Sequence, residues 1–193
     1  MNKALEPTLG RVMRAVVLTF LVSFLVSGQQ REKIVDWHPF RVGSDAKVLE
    51  IVDVKVDGES ITMGSPFTAD EDWLDTLTFR VRNVSGKVID NFAFGVAFPE
   101  LAINSDGPGA PGFTIGYGGE FPRNAGRGKV VLPDEEVDLK LPAEEIKGMR
   151  RASERTLGTP NLNKVTIAAG LLTFQDGSRL GGFSLRGRAP EKP

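Results

Sequence analysis

Apolar and polar residues alternate along much of the chain with the period of two that is typical of β-strands. The alternation is clearest from Leu77 to Val81 and again from Val88 to Phe98, and the turn-forming residues Asn83 to Gly86 separate these two runs. Residues 47–57 predict another strong strand, and further runs predict strands over residues 60–63, 113–115, 129–132, 137–141, 165–174 and 179–186. The pattern therefore predicts a mainly β protein.

One segment follows the helical period instead. Its apolar and small residues recur at helical spacing, at Ile146, Met149, Ser153 and Leu157. Pro142 suits the start of a helix, and Gly158 suits its end. The sequence therefore predicts one short helix over about 143–157.

About seven or eight strands, one helix and connections rich in glycine and proline predict an antiparallel Ig-like β-sandwich. An open barrel is the alternative architecture. The sandwich domain is predicted to span residues 47–187. Residues 29–46 are interpreted as an N-terminal linker or arm, and residues 188–193 as a disordered tail.

The start of the chain has the composition of a secretory signal. An apolar run, Ala15 to Val26, is followed by the small residues Ser27 and Gly28, and three basic residues precede it: Lys3, Arg11 and Arg14. This order predicts a signal peptide over residues 1–28, cleaved before Gln29, and export to the periplasm or the cell exterior. The run is shorter than the roughly 20 residues of a transmembrane helix. A retained signal anchor is the alternative.

Composition excludes several kinds of chemistry. The chain has no Cys, one His and a net charge of −1. Without Cys there are no disulfides, thiolate metal sites or Cys nucleophiles. The single His38 excludes a multi-histidine metal centre, and no G-x-S-x-G motif accompanies it for Ser-His-Asp catalysis. A charge near zero argues against nucleic-acid binding. We therefore expect no catalytic residues, no cofactor, no metal and no nucleic-acid partner.

Two acidic clusters could still support metal binding or catalysis. They are Asp70-Glu71-Asp72 and Asp134-Glu135-Glu136. Carboxylates at this spacing favour calcium, although neither cluster has EF-hand spacing. Two carboxylates across a cleft are also what glycoside hydrolysis requires. Solvated loop tips are the simpler interpretation. A calcium- or carbohydrate-binding module and a small hydrolase of an envelope polymer therefore remain as alternatives.

A glycine-rich stretch, 104–128, is predicted to be a long surface excursion. It lacks the G-x-x-x-x-G-K-[ST] motif of a phosphate-binding loop. It carries three aromatic residues, and loops on a rigid scaffold often hold binding residues. Phe113, Tyr117 and Phe121 are therefore predicted as a possible binding loop.

The chain from Leu77 to Leu141 resembles the small Ig-like, FxLYD-type modules of bacterial exported proteins. The matching residues are Val81-Arg82-Asn83-Val84-Ser85, Lys87-Val88-Ile89, Phe92 to Phe98 and Leu132-Pro133-Asp134-Glu135-Glu136. The resemblance implies a non-catalytic sandwich outside the cytoplasm and brings no functional residues with it. We accordingly expect a protein-binding or assembly module of the bacterial envelope, whose partner is an envelope or extracellular protein. A structural subunit of a larger envelope complex is a further alternative.

Overall fold

A computed structural model describes residues 31–38, 41–42, 46–102, 110–119 and 124–181. The predicted signal peptide, its cleavage site and its alternative as an anchor lie outside the described residues. So do the predicted tail and residues 182–186 of the last predicted strand.

The described residues form twelve strands, two α-helices and one 3-10 turn. The helices are α1 (Trp73–Thr76) and α2 (Ala143–Leu157), and the 3-10 turn is Pro99–Leu101. The strands are β1 (Arg31–His38), β2 (Arg41–Val42), β3 (Ala46–Lys47), β4 (Leu49–Val56), β5 (Glu59–Ser60), β6 (Phe67–Ala69), β7 (Thr78–Asn83), β8 (Ile89–Ala97), β9 (Gly112–Gly118), β10 (Glu136–Lys140), β11 (Lys164–Phe174) and β12 (Arg179–Leu180).

These strands form two main sheets and one small ribbon. The larger sheet has the order β6-β1-β11-β8-β9, with β12 also paired to β11, and the smaller sheet has the order β10-β7-β4-β5. Strands β2 and β3 form the ribbon. The prediction of a mainly β protein is confirmed. The purely antiparallel arrangement is wrong at one place, because β1 runs parallel to β11 with Ile34 opposite Lys164.

Both sheets contribute side chains to one continuous core. Phe92 and Phe94 enter it from the larger sheet, and Phe79 and Leu139 enter it from the smaller sheet. Each of these side chains is no more than 1% exposed. Successive side chains of a strand point to opposite faces, so the period-two alternation in the sequence becomes one apolar face per sheet. Two sheets that share one core are the coarse architecture of a sandwich.

Most of the strongly alternating runs form strands at the predicted positions, whereas three predicted strands differ. The strand predicted at 60–63 is replaced by the two-residue strand β5, Glu59–Ser60. Residues 129–132 contribute only an isolated bridge, in which Val131 pairs with Ile89. The short strand predicted at 113–115 is longer, since β9 covers Gly112 to Gly118.

The segment predicted as a linker, 29–46, contains strand β1, which lies between β6 and β11. Lys33 and Val35 are both buried, and they share one face of the strand. A charged residue on the buried face hides the alternation from sequence analysis, which is why this segment resembled a linker.

The predicted helix is confirmed with its bounds, and it ends as expected. Gly158 has a left-handed φ of 71°, and its N–H donates to the Glu154 carbonyl at 3.0 Å. Glycine adopts this conformation without steric cost, so it terminates the helix. Helix α1, which directly follows the acidic cluster Asp70-Glu71-Asp72, was not predicted from the sequence.

Candidate functional site

The aromatic residues predicted as a binding loop do not share a loop in the structure. Phe113 and Tyr117 lie on strand β9, and Phe121 lies outside the described residues. The Phe113 ring packs against Phe98 with centroids 6.0 Å apart, and Tyr117 stacks on Phe92 at 6.0 Å. Burial raises the pKa of Tyr117, and the nearby Glu135 raises it further. Phe113 and Tyr117 are therefore half-buried on the core side of a strand, and their binding role stays a prediction.

Strand β9 is an edge strand of the larger sheet. One side pairs with β8 along its whole length, from Gly112 opposite Ala97 to Gly118 opposite Asn91. The other side meets the described chain only at its end, where Gly118 N–H donates to the Ala125 carbonyl at 2.8 Å. Ala125 N–H in turn donates to the Gly116 carbonyl at 2.9 Å. The even-numbered residues of β9 therefore direct their backbone groups away from β8.

Residues Gly112 and Thr114 share this outward direction, because the hydrogen-bonding side of a strand alternates from residue to residue. Both residues are exposed. Within the described ranges, no hydrogen bond from that side reaches their N–H or C=O groups. We call these four backbone groups the open edge of β9.

The other sheet edges differ from the open edge of β9. Strand β5 has only two residues and β6 only three. Strand β10 carries three exposed charged residues, which are Glu136, Asp138 and Lys140. Short length and charge are the usual means by which proteins keep sheet edges from pairing with other chains. Strand β9, with the sequence Gly-Phe-Thr-Ile-Gly-Tyr-Gly, has neither protection.

The acidic cluster Asp70-Glu71-Asp72 leads into helix α1. Glu71 Oε1 accepts a hydrogen bond from Asn161 Nδ2 at 2.6 Å. The Glu71 backbone carbonyl also accepts one from Arg150 Nη2 at 3.3 Å. Arg150 further bonds to Asp75 at 2.8 Å. Glu71 thus takes part in contacts that join α1 to α2 and to the segment before β11.

The second acidic cluster, Asp134-Glu135-Glu136, forms the turn before β10. Glu135 Oε2 accepts a hydrogen bond from Leu132 N–H at 2.7 Å and so closes the turn. Glu136 pairs with Arg82 of the neighbouring strand β7. Among the residues that the structure describes, no three His, Asp or Glu side chains form a metal-binding group. The calcium, carbohydrate and hydrolase interpretations stay alternatives.

Sequence analysis missed a polar cluster at the start of β11, in which Lys33 is buried and its partners are partly buried. Lys33 is 1% exposed, and its Nζ donates to Asn163 Oδ1 at 2.8 Å. Asn163 Nδ2 donates to Glu100 Oε1 at 3.1 Å, and Glu100 Oε2 accepts the Asn163 backbone N–H at 2.7 Å. Burial lowers the pKa of Lys33, Arg31 lowers it further, and Glu100 opposes the shift. The cluster ties β1, the 3-10 turn and β11 together.

A shallow cavity of about 550 Å³ opens beside this cluster. Its lining includes Asp36, Trp37, Met63, Pro99, Lys164 and Thr166. Lys164 Nζ lies 2.6 Å from Asp36 Oδ2, so the two charged groups of the cavity neutralise each other. The only histidine, His38, is the last residue of β1 and lies opposite Ala168 in the sheet.

Comparison with known protein families, with curated proteins and with solved structures finds no match. The resemblance to FxLYD-type modules therefore stays a prediction. In the described part of the chain, neither helix has the length and apolar content needed to cross a bilayer.

Proposed function

We propose that the protein is an exported, non-catalytic Ig-like β-sandwich that acts as a protein-binding or assembly module of the bacterial envelope. The observation that carries this proposal is the open edge of β9. An edge strand without charge and with unpaired backbone groups is a ready template for pairing with another polypeptide.

The placement of β9 supports a binding role because the strand is held firmly. Its core-facing side chains Phe113, Ile115 and Tyr117 pack against the shared core. One edge of its backbone is paired with β8 along the whole strand. A binding edge fixed in this way loses little conformational freedom on association, so less of the interaction free energy is spent on ordering it.

The remaining parts of the proposal rest on the sequence. The basic and apolar order of residues 1–28 supports export. The turn-flanked strands between Leu77 and Leu141 support the Ig-like description. Three of the carboxylates that favoured other functions have partners within the fold: Glu71 accepts a hydrogen bond from Asn161, Glu135 closes a turn, and Glu136 pairs with Arg82.

The test is site-specific photo-crosslinking of the full chain expressed in its own organism. A photoreactive amino acid at Thr114 is expected to trap a defined envelope protein. The matched control places the same group at Lys140, an exposed residue of the charged edge strand β10. No crosslink from Thr114, or the same products from both positions, would contradict the proposal. Fractionation of the cells and the intact mass of the chain, expected to begin at Gln29, test export in the same samples.

A further inference from the structure

The geometry of the open edge points to the kind of partner, and this inference rests on the proposed function. We infer that the partner adds a short extended segment to β9 as a further strand, and that this segment is uncharged and has apolar residues at alternate positions.

The backbone groups at the edge define the occupant as a polypeptide. Gly112 and Thr114 each present one donor and one acceptor, and their positions repeat every two residues, which is about 6.6 Å along a strand. An extended backbone offers acceptors and donors at the same repeat. Sugars and small anions do not reproduce this alternating pattern over two successive repeats.

The chain itself limits the length of the added segment. Ala125 already pairs with Tyr117 in parallel orientation and so occupies the same side of β9 further along. The free stretch therefore extends from Pro111 to Ile115. About four residues of a partner fit there, since a strand rises about 3.3 Å per residue. A ladder of this length gives weak binding by itself.

The side chains beside the open edge define the chemistry of the segment. On the core side, Phe113 is only partly buried, and an apolar side chain on the added strand would cover its remaining surface. At Gly112 the neighbouring strand leaves no space for a side chain, since the Val96 carbonyl oxygen would lie 2.0 Å from a Cβ at this position. Strand β9 has no charged residue to pair with a charge on the partner. An alternating, uncharged segment therefore fits best.

The experiment measures hydrogen exchange at the Gly112 and Thr114 amides by NMR, using the chain from Gln29 to Pro193. The probe is the blocked peptide Thr-Val-Thr-Val-Thr at millimolar concentration. We expect both amides to exchange quickly in the free protein and at least about fivefold more slowly with peptide. The control peptide, Thr-Lys-Thr-Glu-Thr, is expected to give no slowing.

Two variants separate backbone pairing from other effects. Thr114→Pro removes the outward N–H, and proline is tolerated at a strand edge whose N–H faces away from the sheet. It should abolish the slowing at Gly112 while the thermal unfolding temperature stays close to that of the parent. Thr114→Val keeps the N–H and the branched shape, and it should preserve the effect.

Several results would overturn the inference. These are amides that are already protected in the free chain, equal protection by the charged peptide, or protection that depends on protein concentration, which would make a second copy the occupant. A crosslink to the envelope protein from a photoreactive group at Phe113 that persists when Thr114→Pro is added would retain the binding module and refute strand addition. Peptide pairing without any crosslinked envelope protein would support the strand geometry and refute the proposed physiological role.

Discussion

Ser153 is fully buried in helix α2, and its hydroxyl has no hydrogen-bond partner among the described residues. A buried hydroxyl without a partner has lost its hydration and gained nothing in return. Helix α2 packs its Ile146 side against the core, so Ser153 lies where an apolar residue would be expected. The residue therefore weakens the fold locally.

We predict that Ser153→Ala stabilises the protein. Removing the unsatisfied hydroxyl should raise the free energy of unfolding by about 1 kcal/mol, measured by urea denaturation. Alanine also favours helix over serine by a few tenths of a kcal/mol, and Thr156→Ala, which replaces an exposed hydroxyl residue of the same helix, measures a similar propensity effect. A Ser153→Ala protein no more stable than the Thr156→Ala protein would show that the hydroxyl is in fact satisfied.

At the candidate site, the sequence identified aromatic residues but did not predict the full length of the strand that carries them. Phe113 and Tyr117 were predicted to belong to a binding loop, but both lie on strand β9. Their neighbours Gly112, Gly116 and Gly118 are typical of loops, because glycine is rare in strands. In the structure these glycines lie on the face of β9 opposite its aromatic residues, so they accompany a strand. The open edge itself is a property of backbone direction, which no side-chain pattern records.

At the scale of elements, β1 is the largest departure from expectation. It lies inside the larger sheet, where it pairs with both β6 and β11, and Val35 is completely buried. An arm could be removed without harm, whereas a strand at this position holds two neighbours together. The buried contacts of Lys33 with Asn163 add a polar tie between β1 and β11.

We predict that a chain beginning after His38 does not fold cooperatively. It would lose a buried strand and leave the paired backbone groups of β6 and β11 without partners. A chain beginning at Gln29 is the control and should unfold in a single sharp thermal transition, followed by circular dichroism. Equal unfolding temperatures for the two chains would restore the interpretation of this segment as an arm.

Elements with local signals were predictable, and those that depend on distant partners were not. The Asp57-Gly58 turn predicts the β4–β5 hairpin, and both residues have the positive φ that such turns require. Asp176-Gly177 similarly predicts the β11–β12 hairpin. The parallel pairing of β1 with β11 joins segments about 130 positions apart, so no local sequence signal predicts it.

At the scale of the whole molecule, the two sheets depend on each other through the shared core. Phe79 belongs to the smaller sheet and Phe94 to the larger, and both are completely buried. Neither sheet has a second apolar cluster of its own in the described residues. The sheets should therefore unfold together.

We predict that Phe79→Leu and Phe94→Leu each lower one common unfolding temperature. Each change removes part of a well-packed ring and should cost about 1–3 kcal/mol. Scanning calorimetry should give one transition in both variants, with equal calorimetric and van't Hoff enthalpies. Leu132→Ser, at a position 53% exposed, is the control and should change little. Two resolved transitions would show that the sheets are independent units.

The parallel pairing of the first strand has a consequence for the timing of folding. Synthesis proceeds from the N-terminus, so Lys33 emerges 130 residues before its partner Asn163. At about 5–20 residues per second, β1 waits on the order of ten seconds before β11 exists. The larger sheet cannot close during that interval. Such long-range pairing also slows folding after the chain is complete. The newly made protein therefore passes through a period in which its first strand is without its main neighbour and is accessible to chaperones.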